Sequence, residues 1–421
     1  MSSNASIEQA GAELKSKNFA KAEIIYREIL QKDVKKDDSL INEQEQAIIG
    51  LSDLYVAENR HGDLAKFVQE VRPLMSNFSK AKSAKIIRTL IDKFSGAKSS
   101  LLLQIEVTKS CREWAIDEKR TFLRQALDTK LISLYYENSS YTDAINLTNT
   151  ILFELKRMDD KMLLTEVHLL ESRVYHAIRN IPKARASLTA ARTAANAIYC
   201  PAALQASLDM QSGILHAEEA DFKTAYSYFY EAYEGYNSLD DVKKALSSFK
   251  YMLLSQIMLN SISEVKSLLT GKHSVKYSGR EIDAMRAVAQ AHENRSLAEF
   301  EKALQDFKQE LASDPIIRSH LSTLYDNLLE QNLLRVVEPY SRIEVSHIAN
   351  LIGLSTVQVE GKLSQMILDK VFYGILDQGS GVLIVFDEPQ QDKTYEAALE
   401  VIKNMGTVVD LLIENKASAL L

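Results

Sequence analysis

Ser341-Arg-Ile-Glu-Val-Ser-His-Ile-Ala-Asn-Leu-Ile-Gly-Leu-Ser355 opens a segment in which two helical periods run into a pair of strand patterns. A second helical run follows it to Lys370, and Val371-Phe-Tyr-Gly-Ile-Leu-Asp-Gln-Gly-Ser-Gly-Val-Leu-Ile-Val-Phe386 closes it. Five of the chain's 14 glycines fall here, and Pro339 and Pro389 bracket the segment. Ile343 and Val345 read as a short strand. Ser346 is expected to cap a helix that buries Ile348, Leu351 and Ile352, with Gly353 ending it at the C′ position. Ser355 and Gln358 have capping-box spacing for the next helix, whose buried stripe is Val359, Leu363, Met366 and Ile367. Phe372–Leu376 and Val382–Phe386 then alternate around Asp377–Gly381, a hairpin pattern. Helix, turn, helix and hairpin predict a winged helix.

Winged helices often read DNA through their second helix, but the charges here oppose it. Between Arg335 and Gln390 stand four basic and seven acidic residues, a net of −3 that repels phosphate. The recognition position carries Glu360 and Asp369. The strand holding Val382, Ile384 and Phe386 is apolar on both faces, and as an exposed edge it would invite strand addition by another protein. Beyond Pro389, Tyr395, Ala398, Ile402, Met405, Val409 and Leu412 follow the 3,4 spacing of a heptad seam. That seam is short for an autonomous coiled coil and calls for other helices to pack on.

Upstream, a small motif recurs: an aromatic or apolar residue, two variable residues, then alanine entering an amphipathic helix. It is seen at Phe19–Ala22, Tyr141–Ala144, Ile181–Ala184, Phe222–Ala225 and Phe300–Ala303, with weaker versions at His61–Ala65 and Ser261–Val265. From Ala144 onward the intervals are 40, 41, 40 and 38 residues, and a missing member belongs near Gln104. Alanine lets two helix backbones approach, and a larger side chain one turn later, as in Ala225/Phe229, fills the adjoining groove. Pairs that cannot bury their apolar faces alone stack on their neighbours. The expected fold is mainly α: a right-handed, tetratricopeptide-like solenoid of helical pairs, then the winged helix, then a C-terminal helix. Asp314-Pro315 starts a helix whose buried stripe is Leu321, Leu324, Tyr325, Leu328, Leu329 and Leu333. The aromatic cluster Tyr226, Tyr228, Phe229, Tyr230, Tyr233 and Tyr236 reads chiefly as inter-helix packing, with a peptide-binding groove as the alternative. The expected divisions are residues 1–220, 221–335, 336–390 and 391–421.

At 421 residues and a net charge of −7, general binding to nucleic acid or anionic membrane is disfavoured. The N-terminus lacks a signal-peptide pattern, and the uncharged run Tyr251–Ser263 is too short to span a bilayer. Cys111 and Cys200, far apart and outside any CxxC, fit a reducing compartment, the cytosol or nucleus. The eight histidines lack zinc-hydrolase spacing, Gly271-Lys272-His273 is no phosphate loop, and no nucleophile elbow or dinucleotide fingerprint occurs. No catalytic residue, metal ligand or cofactor site is assigned.

Helical repeats running into a winged helix and a terminal helix are the layout of PCI-domain scaffold proteins. Lys119–Ala126, Ala195–Pro201, Leu208–Gly213, Tyr226–Ala232, Leu324–Gln331, Lys362–Lys370, Gly374–Gly379 and Asp392–Glu400 closely resemble a subunit of the 26S proteasome lid. The resemblance covers most of the chain from about residue 70. It implies a non-catalytic, hetero-oligomeric scaffold. Its PCI module would join other PCI lid subunits through the winged-helix edge and the C-terminal helix. Its N-terminal solenoid would reach the ATPase base and the outer ring of the core particle. The related signalosome scaffold and a winged-helix nucleic-acid-binding protein are the alternative readings.

Overall fold

The computed structural model describes residues 19–30, 38–94, 101–271, 279–312, 314–386 and 393–420. They form two compact units, Met1–Leu259 and Asn260–Leu421. The division expected after residue 220 falls inside the first unit. In that unit α1 (Phe19–Leu30), α2 (Asp38–Ala57), α3 (His61–Val71), a 3₁₀ turn (Pro73–Asn77) and α4 (Lys80–Asp92) lead into a regular series. The series is α5 (Leu101–Asp117), α6 (Thr121–Glu137), α7 (Tyr141–Met158), α8 (Lys161–Ala177), α9 (Ile181–Asn196), α10 (Ala202–Glu218), α11 (Phe222–Ser238) and α12 (Val242–Met258).

The turns set the period. Lys119, Ser139, Asp159 and Arg179 lie twenty residues apart, each left-handed at φ 54–64°, and Ala220 and Asp240 continue the series. The residue after each left-handed position often does two jobs. The Asp221 N–H donates to the His216 carbonyl five residues back (3.0 Å), closing α10 in a Schellman-type turn. The Asp221 carboxylate accepts from the Thr224 N–H (3.3 Å), opening α11. Asn180 and Asp241 act the same way. Two helices plus two such turns make the forty-residue repeat.

The motif alanines are the contact points. Ala144, Ala184 and Ala225 hold the fourth position of α7, α9 and α11 and are fully buried. Gln104 takes that position in α5, where its buried amide donates to the Ile91 carbonyl at 2.9 Å; the missing member of the series is a glutamine. The larger residues one turn on lie against glycine backbone in the neighbouring helix. A Cβ built on Gly213 would sit 2.6 Å from the Phe229 ring, and one on Gly50 2.7 Å from the Tyr26 ring. Phe229, Tyr233 and Tyr236 are buried while Tyr230 faces solvent, so the aromatic cluster is mainly packing. Arg112 of α5 and Arg124 of α6 flank the buried Asp128 of α6, and Arg124 also pairs with Glu154 of α7.

In the second unit, α13 (Ile262–Thr270), α14 (Arg280–Glu293), α15 (Leu297–Asp306), α16 (Lys308–Ala312) and α17 (Pro315–Val337) precede the terminal module. Ala303 is out of phase with the repeat. Ser296 caps α15 by accepting from the Glu299 N–H (3.3 Å), so the fourth position falls on the fully buried Phe300. Asp314 caps α17 as expected, accepting from the Ile316 N–H at 3.2 Å. Its leucine stripe is buried, with Tyr325 at the margin.

Two stability outcomes are expected. Ala220→Gly removes the left-handed penalty of an exposed, side-chain-bearing residue. It should raise the unfolding free energy by about 0.5–1 kcal/mol net of glycine's chain entropy, measured by denaturant titration, whereas Ala220→Val should lower it. Gly213→Ala forces a methyl into the Phe229 ring and should cost about 1–3 kcal/mol, with much of the loss recovered in the Gly213→Ala/Phe229→Leu double variant.

Candidate assembly interface

The terminal module comprises β1 (Arg342–Glu344), α18 (Val345–Ile352), α19 (Thr356–Leu368), β2 (Tyr373–Asp377), β3 (Val382–Phe386) and α20 (Lys393–Leu420). α18 starts two residues earlier than expected. Glu344 is its N-cap residue, without a side-chain cap bond, and Ser346 lies inside the helix with its hydroxyl 3.4 Å from the Glu344 carboxylate. The buried phase is therefore Val345, Ile348 and Ala349, and Leu351 turns to solvent. Gly353 ends the helix in the left-handed region at φ 80°, as its placement required. Ser355 and Gln358 meet side chain to side chain at 2.9 Å rather than through the backbone. α19 buries Val359, Leu363 and Met366, leaving Ile367 half-buried.

The sheet corrects one expectation. Its order is β1-β3-β2, all antiparallel, so Val382–Phe386 is the central strand and not an exposed edge. The short β1 fills one side of it: Ile343 faces Leu383, Val385 N–H donates to the Ser341 carbonyl, and Val345 N–H donates to the Gly381 carbonyl. The outer strands are β1 and β2. The turn is fixed by Asp377, whose carboxylate accepts from Ser380 Oγ at 2.6 Å and from the Gly379 N–H at 3.0 Å. Those bonds, the Ser380 hydroxyl foremost, hold its carboxyl below the ordinary aspartate range.

Val382, Ile384 and Phe386 nonetheless share a face, because alternate strand residues point the same way. Leu383 on the opposite face is fully buried. The register sets Phe386 beside Tyr373 and Ile384 beside Ile375. Ile375 is 56% exposed and Phe386 49% exposed, Ile384 is half-buried, and Val382 is almost covered. The outer sheet face therefore offers an apolar patch of Ile375, Ile384 and Phe386. Sequence reasoning missed Ile375; pairing the two hairpin strands across Asp377–Gly381 would have found it.

α19 carries no cationic reading surface. Lys362 is turned back onto α17, 2.8 Å from Glu330 and largely shielded. The outward stripe is Val357, Gly361, Ser364 and Leu368. α20 is different again. Tyr395, Ala398, Ile402, Met405, Val409 and Leu412 are all exposed, as is every other described side chain of this helix. Leu399, Val401, Val408, Leu411 and Ile413 are exposed with them. Projected at helical spacing, these apolar residues cover an arc of roughly 240°, wider than a pairwise seam.

Stacked helical pairs, a winged helix without free cations on its second helix, and a terminal helix that exposes its apolar arc define a subunit of the PCI class, built for assembly. The PCI domain model matches residues 304–387. Two further models match the flanks: the 26S proteasome regulatory subunit RPN6 N-terminal domain over residues 3–138, and the 26S proteasome subunit RPN6 C-terminal helix domain over residues 391–417. The chain is 80% identical, over the whole of both chains, to the probable 26S proteasome regulatory subunit rpn6 of Schizosaccharomyces pombe. It is 48% identical to the 26S proteasome regulatory subunit RPN6 of Saccharomyces cerevisiae over 98% of each chain. With the 26S proteasome non-ATPase regulatory subunit 11 homolog of Arabidopsis thaliana it shares 50% identity over 95% of each. The chain belongs to the Rpn6 family of 26S proteasome regulatory subunits.

Ile375→Glu places a charge in the outer sheet patch at an exposed position. Thermal unfolding should stay close to wild type, a change of about 0.5 kcal/mol or less, while co-purification of partner subunits falls. Undiminished partner recovery would exclude this face as a contact.

Proposed function

We propose that the chain is a non-catalytic scaffold of the proteasome regulatory-particle lid, acting by burial at separate interfaces. The observation that carries this reading is α20, whose broad apolar arc faces solvent along every described turn. A helix of that kind is stable in water only when other helices cover it. An arc wider than a single seam calls for at least two neighbours, so the helix joins a bundle with the terminal helices of other PCI subunits. The apolar sheet face and the outer strand β2 supply a second contact to a neighbouring PCI module. The N-terminal solenoid is the arm that contacts the ATPase base and the outer ring of the core particle, so that lid, base and core are held together for ubiquitin-dependent degradation.

The polar groups inside the first unit serve packing. Asp128 is committed to Arg112, and His168 Nδ1 lies 2.9 Å from Glu171. Burial pushes the Cys111 thiol up despite the Arg72 guanidinium beside it, the opposite of what a nucleophile needs. Two free thiols, Cys111 and Cys200, suit a cytoplasmic and nuclear setting. The comparisons give neither the signalosome reading nor the nucleic-acid reading any support.

Removing Asp392–Leu421 tests the bundle. The truncated chain should keep the helical circular dichroism and melting transition of the remaining units yet fail to enter the lid, scored by affinity purification from cells lacking the full chain. Normal lid assembly by the truncation would sink the bundle.

A further inference from the structure

One groove of about 610 Å³ crosses the first unit, lined from α4, α6, α8, α10 and α12. It lies on the row where α6, α8 and α10 pack side by side. We infer that this groove binds a short extended segment of another protein, in which apolar side chains alternate with carboxylates.

The floor is apolar and half-open, with Leu163, Leu170 and Leu204 partly exposed. The rim carries four cations, Arg88, Lys130, Arg173 and Lys244, against two carboxylates, Asp92 and Glu166, in a chain whose net charge is −7. Two of the cations are neutralised: Lys130 is 2.8 Å from Asp92, and Lys244 is 3.0 Å from Asp241. Arg88 and Arg173 form no ion pair among the described residues, whereas Arg112, Arg124 and Arg192 of the same unit do. Two guanidinium groups left over a concave apolar floor fit carboxylates, which they hold by charge-assisted, often bidentate bonds.

Glu166 distinguishes an extended segment from a helical one. It lines the groove together with Arg88, burial raising its carboxyl and the Arg88 charge lowering it. A carboxylate here accepts hydrogen bonds, and an extended backbone offers N–H groups that a helix has already used. Apolar residues of such a segment reach the floor while the acidic ones reach the arginines. A purely anionic ligand would meet Glu166 without a donor for it.

The test uses the intact chain and short fluorescein-labelled peptides in which Leu, Phe or Tyr alternates with Glu or Asp. Companion sets carry Gln or Asn, or Lys, at the acidic positions. Anisotropy titrations should show the acidic set binding at least about tenfold more tightly than the amide set. Arg88→Glu/Arg173→Glu should remove that preference. Ala203→Trp, at an exposed lining position, should fill the groove and abolish binding while melting like wild type. Equal binding of acidic and amide peptides, no binding of the acidic set, or undiminished binding by folded Ala203→Trp protein would each overturn the proposal. None of these readouts involves lid assembly, so failure here and failure of the scaffold reading are separable.

Discussion

The first unit depends on one repeated bond, the N–H of a turn residue reaching back to the carbonyl five positions earlier. When that residue is Asp221, Asp241 or Asn180, its side chain also accepts the first free N–H of the next helix. A helix is thus stopped and the next one started by a single residue. The left-handed residue before it lets the chain reverse in a minimum of length. Because the turns are short and alike, helix length is held nearly constant, and every second helix returns to the same row. Alanines at the fourth position then let the rows close, and aromatic rings such as Phe229 fill the space over Gly213. The stacking and close packing of the helices follow from that bond geometry.

The second unit uses the same kinds of side chain to opposite effect. In the first unit charges are drawn into helix contacts, as at Arg112 and Asp128. In the terminal module the lysine that would face a nucleic acid is drawn inward to Glu330, and the surface left outside is apolar. Leu383 and Ile343 close the inner side of the sheet. Ile375 and Phe386 stay open on the other. The winged helix retains its shape but has lost the electrostatics of a phosphate reader.

Much of this was legible in residues. The spacing of Ala144, Ala184 and Ala225 revealed the repeat, because a small residue is required wherever two helix backbones touch. Gly353 marked a helix end because a left-handed C′ position favours it. The other helix ends were not legible: Lys119, Arg179 and Ala220 adopt the same left-handed conformation without being glycine, and tertiary stacking, which no local pattern encodes, holds them there. The sheet order was missed for a related reason. β1 is only three residues long, too short for alternation to show, yet it turns β3 from an edge into the centre. The spacing of Leu351 from Ile348 suits a helix face, but the buried stripe of α18 is centred on Val345, Ile348 and Ala349, which leaves Leu351 on the solvent side. The heptad seam of α20 was visible. The rest of its arc was not, since a two-position template discards Val401, Val408 and Ile413.

The width of that arc follows from energetics. Burying one apolar side chain contributes about 1.5–3 kcal/mol. Bringing a separate chain alongside costs on the order of 4–15 kcal/mol in lost freedom before side-chain ordering is counted. A narrow seam on a 28-residue helix, with one knob every third or fourth residue against a single partner, leaves a small surplus for one weak contact. Spreading the apolar residues over roughly 240° lets each turn touch more than one neighbour, and the gains accumulate without lengthening the helix. The same arc makes the helix a liability when alone, since exposed apolar surface of this extent favours indiscriminate association. Neighbours that covered such an arc would have to do so together, and order in α20 would then be coupled to their binding.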